Sequence, residues 1–128
     1  MITVDELLFF DSHRDALALY EAFREAVLAK VPDTRIEVKK TQISFFDQRM
    51  FAAVSFAPVR KAKERPNPFL TITFGLSYRK ESLRIDVATE PYPNRWTHHV
   101  MIGTVEEVDE ELLSWIVEAA EYAKNMKR

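Results

Sequence analysis

The stretch Tyr92-Pro93-Asn94-Arg95-Trp96-Thr97-His98-His99 packs a phenol, a guanidinium, an indole and two imidazoles into consecutive positions, a concentration of capable side chains that packing alone does not call for. On an extended strand alternate residues face opposite ways, so Trp96 and His98 share one side while Thr97 and His99 share the other. Two imidazoles that point apart cannot hold one metal ion, and the third histidine, His13, is remote in sequence, so no metal site is expected. The stretch could instead line a pocket. Tyr92 and Trp96 would form flat walls, Arg95 would offer its fork to a carboxylate or phosphate, and His98 or His99 would act as hydrogen-bond partner or general base. The competing explanation of His98 is an imidazole at the core edge, satisfied by backbone. Lys40 adds a cation. By strand phase it falls on the apolar side of Ile36 and Val38, where it must snorkel out or meet an anion, unless Lys39-Lys40-Thr41-Gln42 is simply a tight connection.

Other chemistries find less support. The run Arg60-Lys61-Ala62-Lys63-Glu64-Arg65 would attract phosphates at low salt, which makes Arg60, Lys61, Lys63 and Arg65 candidate nucleic-acid contacts, although a solvated loop needs the same composition. Sheets that bind single strands place aromatic rings on an open face, whereas Phe45, Phe74 and Trp96 follow the apolar phase here; Phe46 and Phe56 are the exceptions. Asp33 with Glu37-Val38-Lys39 resembles a nuclease set, but three intervening residues cannot supply a second strand. No serine sits in a nucleophile elbow. Cysteine is absent, which removes disulfides, thiolate nucleophiles, Fe–S clusters and thiolate zinc sites. The chain has two glycines: Gly75 falls within a strand pattern and Gly103 directly before a helix cap, so neither opens a phosphate-cradling turn. Any anion site must be made by side chains, and no cofactor is implied.

The elements that must carry these residues can be read from periodicity. Ser12 with Asp15 predicts a helix start, and Ala16, Tyr20, Phe23, Val27 and Val31 recur at helical spacing, giving a helix over about 13–30 that stops before Pro32. Thr3 with Glu6 predicts a capped turn upstream. From Arg35 the period becomes two, predicting strands at 35–39, 41–45, 50–56, 70–77, 83–87 and 95–102, with a long polar loop over 57–68. Clean alternation marks an antiparallel meander with one packed and one wet face. On the wet face stand Gln42, Ser44, Thr71, Thr73, Arg84, Asp86, Thr97 and His99. Thr104 with Glu107 predicts the start of a last helix, whose Leu112, Leu113, Ile116, Ala119, Ala120 and Ala123 form one apolar face.

A single α+β domain over 1–128 follows, with an antiparallel meander of about five or six strands and both helices on one face. The chain has 128 residues, 47% hydrophobic and 30% charged, with a formal charge of −2. The charge is uneven: residues 31–102 carry twelve basic and seven acidic side chains, while both flanking segments are net acidic. Such asymmetry biases the middle segment toward anions. No long apolar run or leader pattern is present, so a soluble cytoplasmic protein is expected.

The segments Lys40-Thr41-Gln42-Ile43-Ser44-Phe45, Glu90-Pro91-Tyr92-Pro93-Asn94-Arg95-Trp96-Thr97-His98-His99 and Asp109-Glu110-Glu111-Leu112-Leu113-Ser114-Trp115 resemble those of a family of small bacterial domains of unknown function. The resemblance implies a compact bacterial α+β domain, alone or at the carboxyl end of larger chains, and implies no activity. The expectation is therefore a binding or adaptor module with an anion-preferring pocket formed by Lys40, Tyr92, Arg95, Trp96, His98 and His99. Its alternatives are a small hydrolase or transferase with a histidine base, and a nucleic-acid-associated protein. Expected partners are a small anionic ligand and a second copy docked through the sheet, with no membrane.

Overall fold

The computed structural model describes residues 1–126. Three helices, α1 (Val4–Phe9), α2 (Leu17–Lys30) and α3 (Glu110–Asn125), accompany six strands, β1 (Arg35–Val38), β2 (Gln42–Asp47), β3 (Arg49–Ser55), β4 (Leu70–Leu76), β5 (Val87–Tyr92) and β6 (Arg95–Ile102). All neighbours pair antiparallel in the order β1-β2-β3-β4-β6-β5, so the fold is α+β and β5 turns back outside β6 to form an edge.

Alternation decides which face is packed. Ile43 and Phe45 of β2, Ala52 and Val54 of β3, Ile72 and Phe74 of β4, and His98 and Val100 of β6 face one another across the register and are all buried. Helices α2 and α3 cover this face: Phe23 meets Phe45 edge-on at 5.5 Å, and Trp115 stacks on Phe74 at 5.9 Å. Each fully buried phenylalanine contributes about 1.5–3 kcal/mol of apolar transfer. The other sheet face is the more open one, with Gln42, Ser55, Thr73, Thr97 and His99 only half-buried.

The Thr3–Glu6 capping box forms: Thr3 Oγ1 accepts from Glu6 N at 3.2 Å and Glu6 Oε1 accepts from Thr3 N at 2.8 Å. Glu6 is only 1% exposed, and its Oε2 accepts from the Tyr20 hydroxyl and from Arg24 Nε at 2.7 Å. Burial alone would raise its pKa, but the Tyr20, Arg24 and Thr3 donors outweigh it and hold the carboxyl below the ordinary range. One buried charge thus ties α1 to α2.

Four local expectations change. Ser12 does not cap a helix; its hydroxyl meets His13 Nδ1 at 3.2 Å, and a 3-10 turn over Arg14–Ala16 precedes α2. Thr104 and Glu107 do form a capping box, but around a 3-10 turn, Val105–Glu107, and Asp109 caps α3. Residues 83–86 lie ahead of the strand rather than in it: Leu83 is fully exposed, and Arg84 binds Asp109 and Glu111, each at 2.9 Å, while lying over Trp115. Ser44 and Thr71, placed on the wet face by their phase, are completely buried, and their hydroxyls are satisfied there: Gln42 Nε2 donates to Ser44 Oγ at 2.8 Å and Thr71 Oγ1 donates to the Ala57 carbonyl at 2.8 Å. No described helix is long and apolar enough to cross a membrane.

A basic cleft on the open sheet face

One end of the open face is a cleft of about 680 Å3 where the β1–β2 connection, the end of β3, and α1 with the residues following it meet. Its nitrogen-bearing side chains come from three separate places in the chain: the Lys40 ammonium from the β1–β2 connection, the His13 imidazole from the turn before α2, and the His99 imidazole from β6. Polar lining comes from Ser12, Thr41, Gln42, Ser55 and Thr73, and the apolar wall from Leu8, Phe9 and Phe56. Among the described residues, no carboxylate lines it. That composition favours an anion electrostatically and offers hydroxyl and amide groups to orient it.

The two imidazoles are held differently. His99 shares a hydrogen bond between Nδ1 and Thr73 Oγ1 at 2.8 Å, which leaves Nε2 for a ligand. Burial lowers its pKa below the ordinary histidine value, so it is neutral at pH 7. His13 is exposed and lies flat on Phe56, with ring centroids 3.9 Å apart and planes 14° from parallel. Phe10 and Phe69 abut Phe56 edge-on, at 5.6 and 6.0 Å, so the ring beneath His13 is braced.

The fold separates the residues that sequence proximity had grouped. Lys40 and His99 line the same cleft, three strand spacings apart. His98 is on the packed face, stacked on Phe74 at 4.9 Å, with Nε2 accepting from Lys80 N at 2.9 Å and Nδ1 buried without a hydrogen-bond partner. Burial is the main cause of its lowered pKa, with the Phe74 backbone partly opposing it and Lys80 adding to it. Trp96 also belongs to the packed side, opposite Leu76. Tyr92 and Arg95 flank the two-residue turn between β5 and β6 and are exposed, and the Asn94 carbonyl there accepts from Tyr122 of α3 at 3.2 Å. Asn94 takes the left-handed conformation (φ 61°), which asparagine tolerates better than most residues and a tight turn requires.

Of the basic loop, Arg60 and Arg65 are engaged internally. Arg60 Nε meets Asp86 Oδ1 at 2.7 Å and its Nη2 donates to the Met101 carbonyl at 3.3 Å, while Arg65 Nε donates to the Arg60 carbonyl at 2.9 Å. Lys61 and Lys63 are exposed. Among the described residues, no three histidine, aspartate or glutamate side chains gather into a group that could hold a metal ion.

Reading along the sequence named His13 only as too remote to share a metal and Phe56 only as an exception among the strand aromatics; their stacking in one cleft follows from the fold, because Phe56, in phase with Ala52 and Val54, lies just past the end of β3.

Fold and cleft together define a small α+β domain whose antiparallel sheet carries a recess lined by Lys40 and two imidazoles and, among the described residues, by no carboxylate. Residues 7–123 match the family described as Domain of unknown function (DUF5655), and the chain belongs to that family. No curated protein and no solved structure matches it.

Proposed function

We propose that the chain acts as one α+β binding module whose cleft takes an anionic ligand at Lys40, with the imidazoles of His13 and His99 further along the same lining. The observation that carries this reading is that one lysine and two histidines line a recess to which no described residue contributes a carboxylate. Lys40 supplies the permanent charge, and the neutral His99 supplies a directional nitrogen. The setting we infer is the bacterial cytoplasm, supported by a sequence without cysteine that makes no use of an oxidising compartment.

Inorganic phosphate titrated at low ionic strength into isotope-labelled protein is the direct test. The expected result is that amide shifts cluster at Lys40, Thr41 and Gln42, that Lys40→Ala weakens binding about tenfold, the loss of one charge-assisted contact, and that added salt weakens it further. Shifts centred on Lys61 and Lys63 instead, or affinity unchanged in Lys40→Ala, would sink the proposal.

A catalytic reading is favoured by one feature. Thr73 holds His99 through Nδ1 as a partner residue orients a general base, and Nε2 makes no hydrogen bond with a described residue. Turnover of an anionic substrate abolished by His99→Ala, with binding retained, would establish it.

A further inference from the structure

The cleft is longer than a single anion needs. Gln42, beside Lys40, pairs with Ser55 of β3; Ser55 pairs with Thr71 of β4; and Thr73, two residues on, pairs with His99 of β6. Lys40 and His99 therefore stand three strand spacings apart, roughly 14 Å at about 4.8 Å per spacing. A phosphate or carboxylate group fills one end only. Between the ends runs the aromatic wall of Phe9, Phe56 and His13. The His13 ring has one face on Phe56, and its residue is exposed, so a further flat ring can continue the stack. Beyond Lys40, the same sheet face carries Arg35 and Lys39 on either side of Phe46, with their charged groups 5.3 and 5.4 Å from its ring centroid; Glu37 is the acid of that row.

Resting on the anion-binding reading, we infer that the ligand of this cleft is a nucleoside phosphate: its phosphate at Lys40, its base stacked on His13, and a hydrogen-bonding edge toward His99 and Thr73. The reading rests on one recess being lined both by a lysine and by an aromatic platform. Stacking on an aromatic side chain is worth about 1–3 kcal/mol per base, so base and phosphate together should bind well above either part. The same chemistry is offered by a free nucleotide and by one unit of a single strand.

The test titrates the intact chain with adenosine monophosphate, ribose 5-phosphate, adenosine and an eight-residue oligoadenylate. Adenosine monophosphate should bind about tenfold or more tightly than ribose 5-phosphate or adenosine, a ratio that corresponds to the stacking energy above. Its ring protons should shift upfield and show contacts to the His13 ring. Because Lys40 is exposed on a connection, Lys40→Ala should fold normally and lose the advantage of adenosine monophosphate over adenosine. Equal affinity for ribose 5-phosphate and adenosine monophosphate, with no ring shift, overturns the nucleotide assignment and leaves the anion site standing. Adenosine binding as well as its monophosphate, indifferent to Lys40→Ala, overturns both. Tighter oligoadenylate binding that falls in Arg35→Ala/Lys39→Ala identifies the strand as the source, and affinity equal to the mononucleotide's identifies the free nucleotide.

Discussion

Glu6 holds a charge where a carboxylate is costly, and it keeps that charge because three donors converge on it. The Thr3 N–H, the Tyr20 hydroxyl and the Arg24 guanidinium satisfy both oxygens, and Arg24 Nη2 also reaches the Met1 carbonyl at 3.0 Å. Replacing one oxygen by an amide nitrogen places a donor against donors. Glu6→Gln should therefore destabilise the fold by about 2–3 kcal/mol, the scale of a lost charge-assisted hydrogen bond with its partner left unsatisfied. Urea unfolding measures it; a loss under about 0.5 kcal/mol, the range of an inconsequential surface change, would show that α1 is anchored by apolar contacts alone. The consequence reaches the cleft, because Leu8 and Phe9 of α1 form part of its wall.

The connections, more than the strands, set the shape of the cleft, and Gly103 shows how tightly one of them is fitted. A Cβ at Gly103 would lie 2.4 Å from Pro66 Cβ and 2.7 Å from its Cγ, inside the contact limit of a rigid ring. The loop bearing Pro66 cannot easily withdraw, since Arg60 and Arg65 tie it to Asp86, to the Met101 carbonyl and to itself. Gly103→Ala should cost about 1–3 kcal/mol as overpacking, whereas Gly75→Ala, whose Cβ would meet only the Trp96 carbonyl at 3.7 Å, should be tolerated sterically. Equal thermal midpoints for the two variants would contradict this. Period-two alternation made most strands and the packed face readable from sequence, since Ile43, Phe45, Ile72 and Phe74 obey it. It misplaced β5, because Leu83-Arg84-Ile85 alternates while serving as a connection, and the true strand contains Pro91, which an edge can accept. The candidate site was readable only as residue types. Lys40 and His99 carried the right chemistry, but their lining of one cleft depends on register across four strands. Tyr92, Arg95, Trp96 and His98 are neighbours in sequence that the turn and the pleat send elsewhere.

At the scale of the whole molecule, the acid response should come in two stages, because the titratable groups that folding perturbs fall into two sets. His98 and His99 have folded-state pKa values below 6.5, chiefly through burial. The unfolded chain takes up those protons first, so the stability linked to them is complete above about pH 6.5 and declines as the pH falls toward their folded values. Glu6, Asp109 and Glu118 behave in the opposite sense to burial alone. Burial would raise each, but hydrogen bonds and cations outweigh it: Tyr20 and Arg24 for Glu6, the Leu112 N–H and Arg84 for Asp109, and Lys80 and Tyr78 for Glu118. Their contribution is intact above the ordinary carboxylate values of 3.8 to 4.5 and disappears only as the pH drops through the depressed ones. Stability should therefore slope downward from pH 6.5 to 5, then fall more steeply below about 4.5 as the carboxylates that tie α1 to α2, and the 78–84 connection to α3, become protonated. His99→Asn removes one imidazole from the first stage without touching the second. Its stability measured by denaturant at half-unit pH intervals should show a shallower slope between pH 6.5 and 5 than the native chain, and an unchanged fall below 4.5. Lys61→Ala, an exposed loop change, should reproduce the native profile at both stages. A His99→Asn profile parallel to the native one throughout would mean that His99 takes up its proton as readily in the folded chain as in the unfolded one, and with that the neutral nitrogen assigned to the cleft would be lost.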